Sequence, residues 1–102
     1  MAFAFLYVTA GKESEATAIA TILLRKKLIA CANIFPINSL YRWKGRIRQE
    51  KEVVIILKTL SSKSLAVKKE IEKMHPYETP CITLIPVKPN KKYARWLQEQ
   101  VR

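Results

Sequence analysis

Residues 30–59 read ACANIFPINSLYRWKGRIRQEKEVVIILKT, and the topology of the chain follows from the two halves of this stretch. The first half is apolar at its start and contains Pro36, which lacks a backbone N–H and so indicates an edge strand, a bulge or a bend. Lys44-Gly45 supplies a turn, and the second half is rich in β-branched residues from Glu52 to Thr59. Two long strands, the first ending at about Trp43, are therefore predicted to form a hairpin.

The segments on either side of the hairpin predict two more strands and a helix. Phe3 to Thr9 is an apolar, aromatic and β-branched run that suits a strand buried on both faces. Cys81 to Val87 is a shorter strand limited by prolines. From Glu13 to Lys27, apolar residues recur at helical spacing, with acidic residues in the first turn and basic residues in the last, so a helix is predicted there.

Two further helices are predicted after the hairpin. The first begins at a cap on Ser61 or Ser62 and runs to Met74, because Pro76 pushes the residue before it out of helical dihedrals. The second is short and begins at a cap on Asn90. The order strand, helix, strand, strand, helix, strand, with a terminal helix, is the split βαβ arrangement of the ferredoxin-like α+β fold.

The hairpin is too long for the domain that carries it. Strands of about eleven residues extend ~36 Å at roughly 3.3 Å per residue, whereas a compact chain of this length has a radius of gyration of ~13 Å. The hairpin should therefore overhang its own sheet and expose edge hydrogen-bonding groups. A neighbouring copy of the same chain is the simplest cover, so a homo-oligomer is predicted.

Composition indicates one domain over residues 1–102 with an ample core. The chain holds 19 Lys and Arg against 8 acidic residues, all of them Glu, for a net charge of +11. This excess predicts attraction to polyanions, and because the aromatic platform that reads bases is missing, any binding to nucleic acid is expected to be non-specific. No transmembrane segment and no secretory signal is expected, which favours the cytoplasm. Cys31 and Cys81 are expected to be free, largely buried thiols.

The hairpin tip and the loop after the second predicted helix carry the candidate functional residues. Tyr41 and Trp43 lie beside basic residues, and an interface anchor is favoured over a stacking site for a base or a ligand. The sequence His75-Pro76-Tyr77-Glu78 sets an imidazole, a phenol and a carboxylate on a stiff loop that could hold a soft or borderline metal, although its spacing matches no standard zinc or calcium pattern.

Catalytic patterns are missing, so the chain is predicted not to be an enzyme. Its serines and cysteines lack the signatures of known nucleophile motifs, and His75 is the single histidine that could serve as a base. Gly11 and Gly45 are the two glycines of the chain, so no glycine-rich phosphate loop can be formed.

Four motifs in order resemble the CutA divalent-cation tolerance family over nearly the whole chain. They are Ala30-Cys31-Ala32-Asn33-Ile34, Ser39-Leu40-Tyr41-Arg42-Trp43-Lys44-Gly45, Glu52 through Lys58-Thr59, and His75-Pro76-Tyr77-Glu78-Thr79-Pro80. The resemblance implies a ferredoxin-like subunit in a trimer similar to that of the PII signalling proteins. It also implies a role in tolerance of divalent metals, with copper (Cu²⁺) as the expected ion.

The resemblance also supplies the site residues. Candidates for a pocket between subunits are Tyr41, Trp43, Glu52, Lys58, Tyr77 and Glu78, with His75 as the metal ligand. Some members of the family carry a cysteine near the end of the first strand and a second histidine before the Pro-Tyr pair. Here those places hold Val8 and Met74, so the candidate copper ligands reduce to His75.

Two other classes share the predicted topology. An RNA-binding module of the RRM type would suit the basic charge, but it needs aromatic residues on its central strands, and Glu52 to Thr59 contains none. A phosphate-handling enzyme of the acylphosphatase type would need a glycine-rich cradle that the chain lacks. The RNA-binding module remains the alternative hypothesis.

Overall fold

The computed structural model describes residues 1–102 and contains four strands, three α-helices and a 3₁₀ turn. In chain order these are β1 (Phe3–Ala10), α1 (Glu13–Arg25), β2 (Cys31–Trp43), β3 (Arg46–Leu60), the 3₁₀ turn (Ser61–Lys63), α2 (Ser64–Met74), β4 (Ile82–Val87) and α3 (Lys91–Gln100). The strands form one antiparallel sheet in the order β2-β3-β1-β4. This confirms the ferredoxin-like α+β fold that the sequence predicts. None of the helices is long and apolar enough to cross a bilayer.

The hairpin is longer than its sequence pattern suggested. Its strands contain 13 and 15 residues, and β3 begins at Arg46 because the polar residues before Glu52 are held extended by pairing with β2. Lys44 and Gly45 form the turn with φ angles of 49° and 77°, the left-handed pair that a two-residue hairpin of matching twist requires. Pro36 is tolerated because β2 is an edge strand.

Part of the hairpin extends past the sheet. Pairing between β1 and β3 stops at Ala10 opposite Val53, so residues 46–52 and their partners on β2 have no third strand beside them. The molecule measures 45 × 23 × 20 Å, in agreement with the predicted overhang.

The main core lies between α1, α2 and one face of the sheet. Leu6, Leu57, Leu23 and Ile71 are all at most 1% exposed within it. β1 contributes alternate residues only, with Ala4 through Ala10 buried at even positions and partly exposed at odd ones. The expectation that β1 is buried on both faces is therefore wrong, because α1 and α2 cover one face of the sheet.

The second face of the sheet is covered at one end by α3. Leu97 and Val101 pack with Leu60, Ala30 and Phe3. Over the rest of this face Val54 and Glu52 are buried, whereas several apolar or aromatic side chains are half-buried or exposed: Phe5, Tyr7, Phe35, Ile56 and Ile85.

The predicted caps and thiols differ from the structure. Neither α2 nor α3 has a side-chain cap, and the Ser64 hydroxyl instead donates to the Ser61 carbonyl oxygen at 2.7 Å within the 3₁₀ turn. Cys31 is half-buried and Cys81 is exposed. The prediction of largely buried thiols is wrong, because Cys31 opens one edge strand and Cys81 immediately precedes the other.

Candidate functional site

A groove with a volume of about 830 Å³ lies between the base of the overhanging hairpin and the loop after α2. Five of the residues predicted for a pocket line it: Tyr41, Trp43, Glu52, Tyr77 and Glu78. Tyr7, Glu50 and Cys81 line it as well. The structure thus brings together residues that are up to 74 positions apart in the sequence, from Tyr7 to Cys81.

Strand register explains how the hairpin contributes to the groove. Ile37 pairs with Glu52, Ser39 with Glu50, and Tyr41 with Arg48, so alternate residues of both strands share one face. That face is the second face of the sheet, opposite the main core. The groove is therefore built on the sheet surface that α1 and α2 leave free.

Glu52 and Tyr77 form the buried polar pair of the groove. The Tyr77 hydroxyl donates to Glu52 Oε2 at 2.6 Å, and the Glu52 side chain is 9% exposed. None of the three salt bridges of the chain involves Glu52. Burial, followed by the hydrogen bond to the Glu52 carboxylate, raises the pKa of Tyr77 above the usual value for a phenol.

Gly11 lies beneath the Tyr77 ring. A Cβ atom at Gly11 would lie 3.4 Å from the Tyr77 hydroxyl oxygen and 3.2 Å from Glu15 Oε1. Gly11 follows β1 directly, so the loop after α2 can settle against the end of that strand. Glu15 is a second carboxylate close to the phenol, and its negative charge also raises the pKa of Tyr77.

A second tyrosine and glutamate lie further along the hairpin. Partial desolvation, then a hydrogen bond to Glu50, raises the pKa of Tyr41. Glu50 differs from Glu52 because it also accepts from Arg48 Nη2 at 3.1 Å. Glu50 was not among the predicted site residues. The signal that could have found it is its position two residues before Glu52, on the same face of an alternating strand.

His75 is held by two backbone groups rather than facing the groove. Its Nε2 lies 2.7 Å from the Thr9 carbonyl oxygen, and the Tyr77 backbone N–H donates to its Nδ1 at 3.1 Å. A carbonyl can only accept and an amide N–H can only donate, so this arrangement fixes the neutral ring with the proton on Nε2. The ring is 8% exposed, and both nitrogens are engaged. His75 therefore positions the loop that carries Tyr77.

Lys58 lies outside the groove. Its ammonium sits 5.5 Å from the centroid of the Phe5 ring and 5.3 Å from that of Tyr93, so it lies close to two aromatic rings near α3. On β3 it is six residues from Glu52, which places it about 20 Å further along the strand. Of the predicted pocket residues, Lys58 is the one that the structure places elsewhere.

The donors present do not form a preassembled copper site. No three His, Cys, Asp or Glu side chains lie close enough together to hold a metal ion. Val8 is fully buried in the main core, and Met74 packs against that core. Neither position therefore adds a copper ligand. His75 would have to give up its bond from the Tyr77 N–H before Nδ1 could bind a metal.

Fold and groove together define a ferredoxin-like α+β protein with a ligand-sized groove on the free face of its sheet. Residues 4–100 match the family described as "CutA1 divalent ion tolerance protein", and the chain belongs to this family.

Individual relatives agree with this assignment. The chain is 46% identical over 98 residues to the divalent-cation tolerance protein CutA of Archaeoglobus fulgidus, covering 95% of this chain and 96% of the relative, and 44% identical over 97 residues to that of Thermotoga maritima, covering 94% and 96%. The solved A. fulgidus structure, described as a periplasmic divalent cation tolerance protein, superposes with a TM-score of 0.95 at 44% identity, covering 98% of this chain and 99% of that one. Pyrococcus horikoshii CutA1 superposes with a TM-score of 0.94 at 35% identity, covering 97% and 98%.

Proposed function

We propose that this chain acts in tolerance of divalent cations as a homotrimer, through binding rather than catalysis, with residues 1–102 working as one domain. The groove beside the His75-Pro76-Tyr77-Glu78 loop is its ligand site, and it lies at the subunit interfaces. The family assignment supports the tolerance role. The observation that carries the site is the buried carboxylate of Glu52.

Glu52 indicates that the ligand is positively charged. A buried carboxylate normally pairs with a cation or binds a metal, yet Glu52 has only the neutral Tyr77 hydroxyl. Glu50 and Glu78 also line the groove, and Arg42 is the basic residue among its lining side chains. In a chain of net charge +11, this groove gathers acidic groups where the rest of the surface is basic. A bound cation would give the Glu52 carboxylate a charged partner.

The free face of the sheet supports the homotrimer. Phe35 and Ile85 are 41% and 42% exposed on that face, and Leu40 and Ile47 on the overhanging hairpin are 69% and 71% exposed. These side chains lie on both edge strands and on both faces of the hairpin, and exposed apolar surface of this kind is a site of contact with other chains. Light scattering coupled to size exclusion measures the assembly directly, with three chain masses expected. A monomer mass at micromolar concentration would contradict both the trimer and an interfacial site.

Copper is the ion that the sequence resemblance implies, and in this proposal it depends on His75 changing its contacts. Neutral imidazole suits Cu²⁺, so binding requires the Tyr77 N–H to leave Nδ1. Calorimetric titration with Cu²⁺ tests this on the wild type and on His75→Ala. Loss of binding in the variant would show that the site needs His75, as a ligand or through the loop that it positions, whereas unchanged affinity and stoichiometry would remove it from the site.

Binding of divalent cations, on which the proposed tolerance role depends, is tested by titrating the assembled protein with Mn²⁺, Zn²⁺ and Cu²⁺. The titrations are then repeated on Glu52→Gln. The expected result is binding that weakens in this variant and persists in Glu72→Gln, which removes an exposed carboxylate on α2. Equal binding by both variants would separate any cation site from the groove.

The cytoplasm is the compartment proposed from the sequence, whereas the A. fulgidus relative is described as periplasmic. Fractionation of cells that express the native gene decides between the two. Recovery in the periplasmic fraction would overturn the cytoplasmic assignment.

A further inference from the structure

The size of the groove suits a small organic molecule. Its volume of about 830 Å³ falls in the range of about 300–1,000 Å³ that is typical of small-molecule sites. A single metal ion needs only a cluster of donors a few ångströms across, and the acidic side chains of the groove are not clustered in that way. The negative charge is therefore spread along a cavity rather than focused at one point.

Aromatic rings supply much of the groove surface. Tyr7, Tyr41, Trp43 and Tyr77 all line it. Aromatic faces carry a negative quadrupole that attracts ammonium and guanidinium groups, and they also pack well against flat or apolar bodies. The protein already makes contacts of this type elsewhere, because Lys58 approaches Phe5 and Tyr93, and Lys44 lies 5.8 Å from the centroid of Trp43.

We propose that the ligand of this groove is an organic cation, with an ammonium or guanidinium head and a flat or apolar body. The head pairs with the Glu52 carboxylate, and the body lies against Tyr41 and Trp43. This inference rests on the groove being a ligand site, as proposed above, and narrows its ligand from cations in general to one class. It accounts for the combination of aromatic lining, dispersed carboxylates and ligand-scale volume, which a metal site would not need.

Benzylamine and benzyl alcohol are the matched probes, because they share a ring and differ in the charged head. Binding is followed on the assembled ¹⁵N-labelled protein through the amide and indole signals of the hairpin and of the loop after α2, with Mn²⁺ titrated separately. Benzylamine is expected to bind at least about tenfold more tightly than benzyl alcohol, since a charge-assisted hydrogen bond is stronger than a neutral one.

Variants locate the two parts of the ligand. Glu52→Gln is expected to weaken benzylamine binding about tenfold and to leave benzyl alcohol unchanged. Trp43→Leu, at a half-exposed position, is expected to weaken both probes severalfold in protein whose assembly is shown by light scattering to match that of the wild type. Glu72→Gln removes one negative charge far from the groove and should change neither.

Three results would overturn the inference. Equal affinity for the two probes would remove the charged head from recognition. Mn²⁺ binding that depends on Glu52, with no response to either organic probe, would leave the ligand groove standing but assign it to metal ions. No response to any probe, together with loss of the trimer in Glu52→Gln, would show that a basic side chain of a second copy fills the groove and would overturn the ligand site itself.

Discussion

The part of β3 that lies within the four-stranded sheet has two ends, Glu52 where the pairing with β1 stops and Lys58 beside α3, and they treat a charged side chain in opposite ways. Glu52 and Lys58 lie on the same strand and the same face of the sheet, six residues apart. Lys58 lies within reach of the rings of Phe5 and Tyr93 beside α3, so its charge is stabilised inside the subunit. Glu52 is buried with one neutral hydroxyl as its partner. The first charge has its partners within one chain, whereas the second has no charged partner within the chain.

The largest expected effect concerns the complete end of the strand. Leu97 is fully buried and fixes α3 against Leu60 and Ala30. Leu97→Ala should lower the free energy of unfolding by about 2–5 kcal/mol, because it opens a cavity under the helix. Leu65→Ala is the control, since Leu65 is 61% exposed and its loss should change stability by about 0.5 kcal/mol or less. Urea unfolding at matched protein concentrations measures both.

If the two variants unfolded at the same urea concentration, α3 would contribute little to the subunit. The contacts of Lys58 with Phe5 of the sheet and Tyr93 of α3 could then not be what stabilises its charge. The comparison between the two ends of β3 would fail with it.

The two charges should respond to neutralisation with opposite signs. Lys58→Met removes a cation–π contact and should destabilise the protein by about 1 kcal/mol. Glu52→Gln keeps an oxygen that accepts from Tyr77 and removes a buried charge, so it should stabilise the protein by about 1 kcal/mol. Thermal unfolding without added ligand, at one protein concentration, measures the pair.

A clear destabilisation by Glu52→Gln would reverse this reading. It would mean that the carboxylate already has a cationic partner in the assembled protein, supplied by a neighbouring subunit. The measurement therefore also distinguishes a groove that is open to a ligand from one that a neighbouring copy of the chain fills.

The contrast between the ends of β3 marks the limit of what the sequence could predict. Alternation and the Lys44-Gly45 turn are local patterns, so the hairpin and the shared face of Tyr41, Trp43 and Glu52 could be derived from them. Lys58 shares that face and was assigned to the same pocket. Its distance along the strand and the packing of Tyr93 depend on where α3 docks, which no local pattern specifies.

His75 illustrates the same limit for chemistry. Its neighbours in the sequence, a phenol and a carboxylate on the same loop, were compatible with a metal site, and the family resemblance assigned His75 as the ligand. Its hydrogen-bond partner Thr9 lies at the other end of the chain, on a strand that the sequence alone could not place beside it. The overhanging hairpin could be predicted from the sequence, whereas the partner of each ring nitrogen required the tertiary structure.

Titration of the Tyr77 hydroxyl tests the Glu52 end of β3. Burial and the Glu52 carboxylate raise the folded-state pKa of Tyr77 above the value of about 10 in the unfolded chain. At pH above about 10 the unfolded chain therefore releases a proton that the folded protein retains. The contribution to stability is fully present below this pH and is lost as the pH rises beyond it.

Alkaline absorbance titration of the wild type and of Tyr77→Phe should show one fewer tyrosine ionising late in the variant. Glu52→Gln should move the ionisation of Tyr77 back toward lower pH, because the nearby negative charge is gone. A Tyr77 that ionises with the exposed tyrosines would mean that the buried pair does not form.

The smallest effect is expected at Glu70, which shows how a carboxylate behaves when its partner is present and solvent surrounds both. Lys26 Nζ lies 2.8 Å from Glu70 Oε2, and Lys73 lies 3.7 Å from the other oxygen. The hydrogen bond from Lys26 is the main cause of the lowered pKa of Glu70. A depressed pKa contributes stability above the unfolded-state value, which is near 4.3, and this contribution disappears as the pH falls through the folded-state value.

Salt screens an exposed pair, so Glu70→Gln should shift the thermal midpoint slightly at low salt and not at high salt. Glu72 lies two residues further along the same helix and forms no salt bridge. Glu72→Gln should therefore show neither the shift nor its salt dependence. If Glu70→Gln changed stability as much as Glu52→Gln and in the same direction, burial of the Glu52 carboxylate would no longer explain the contrast along β3.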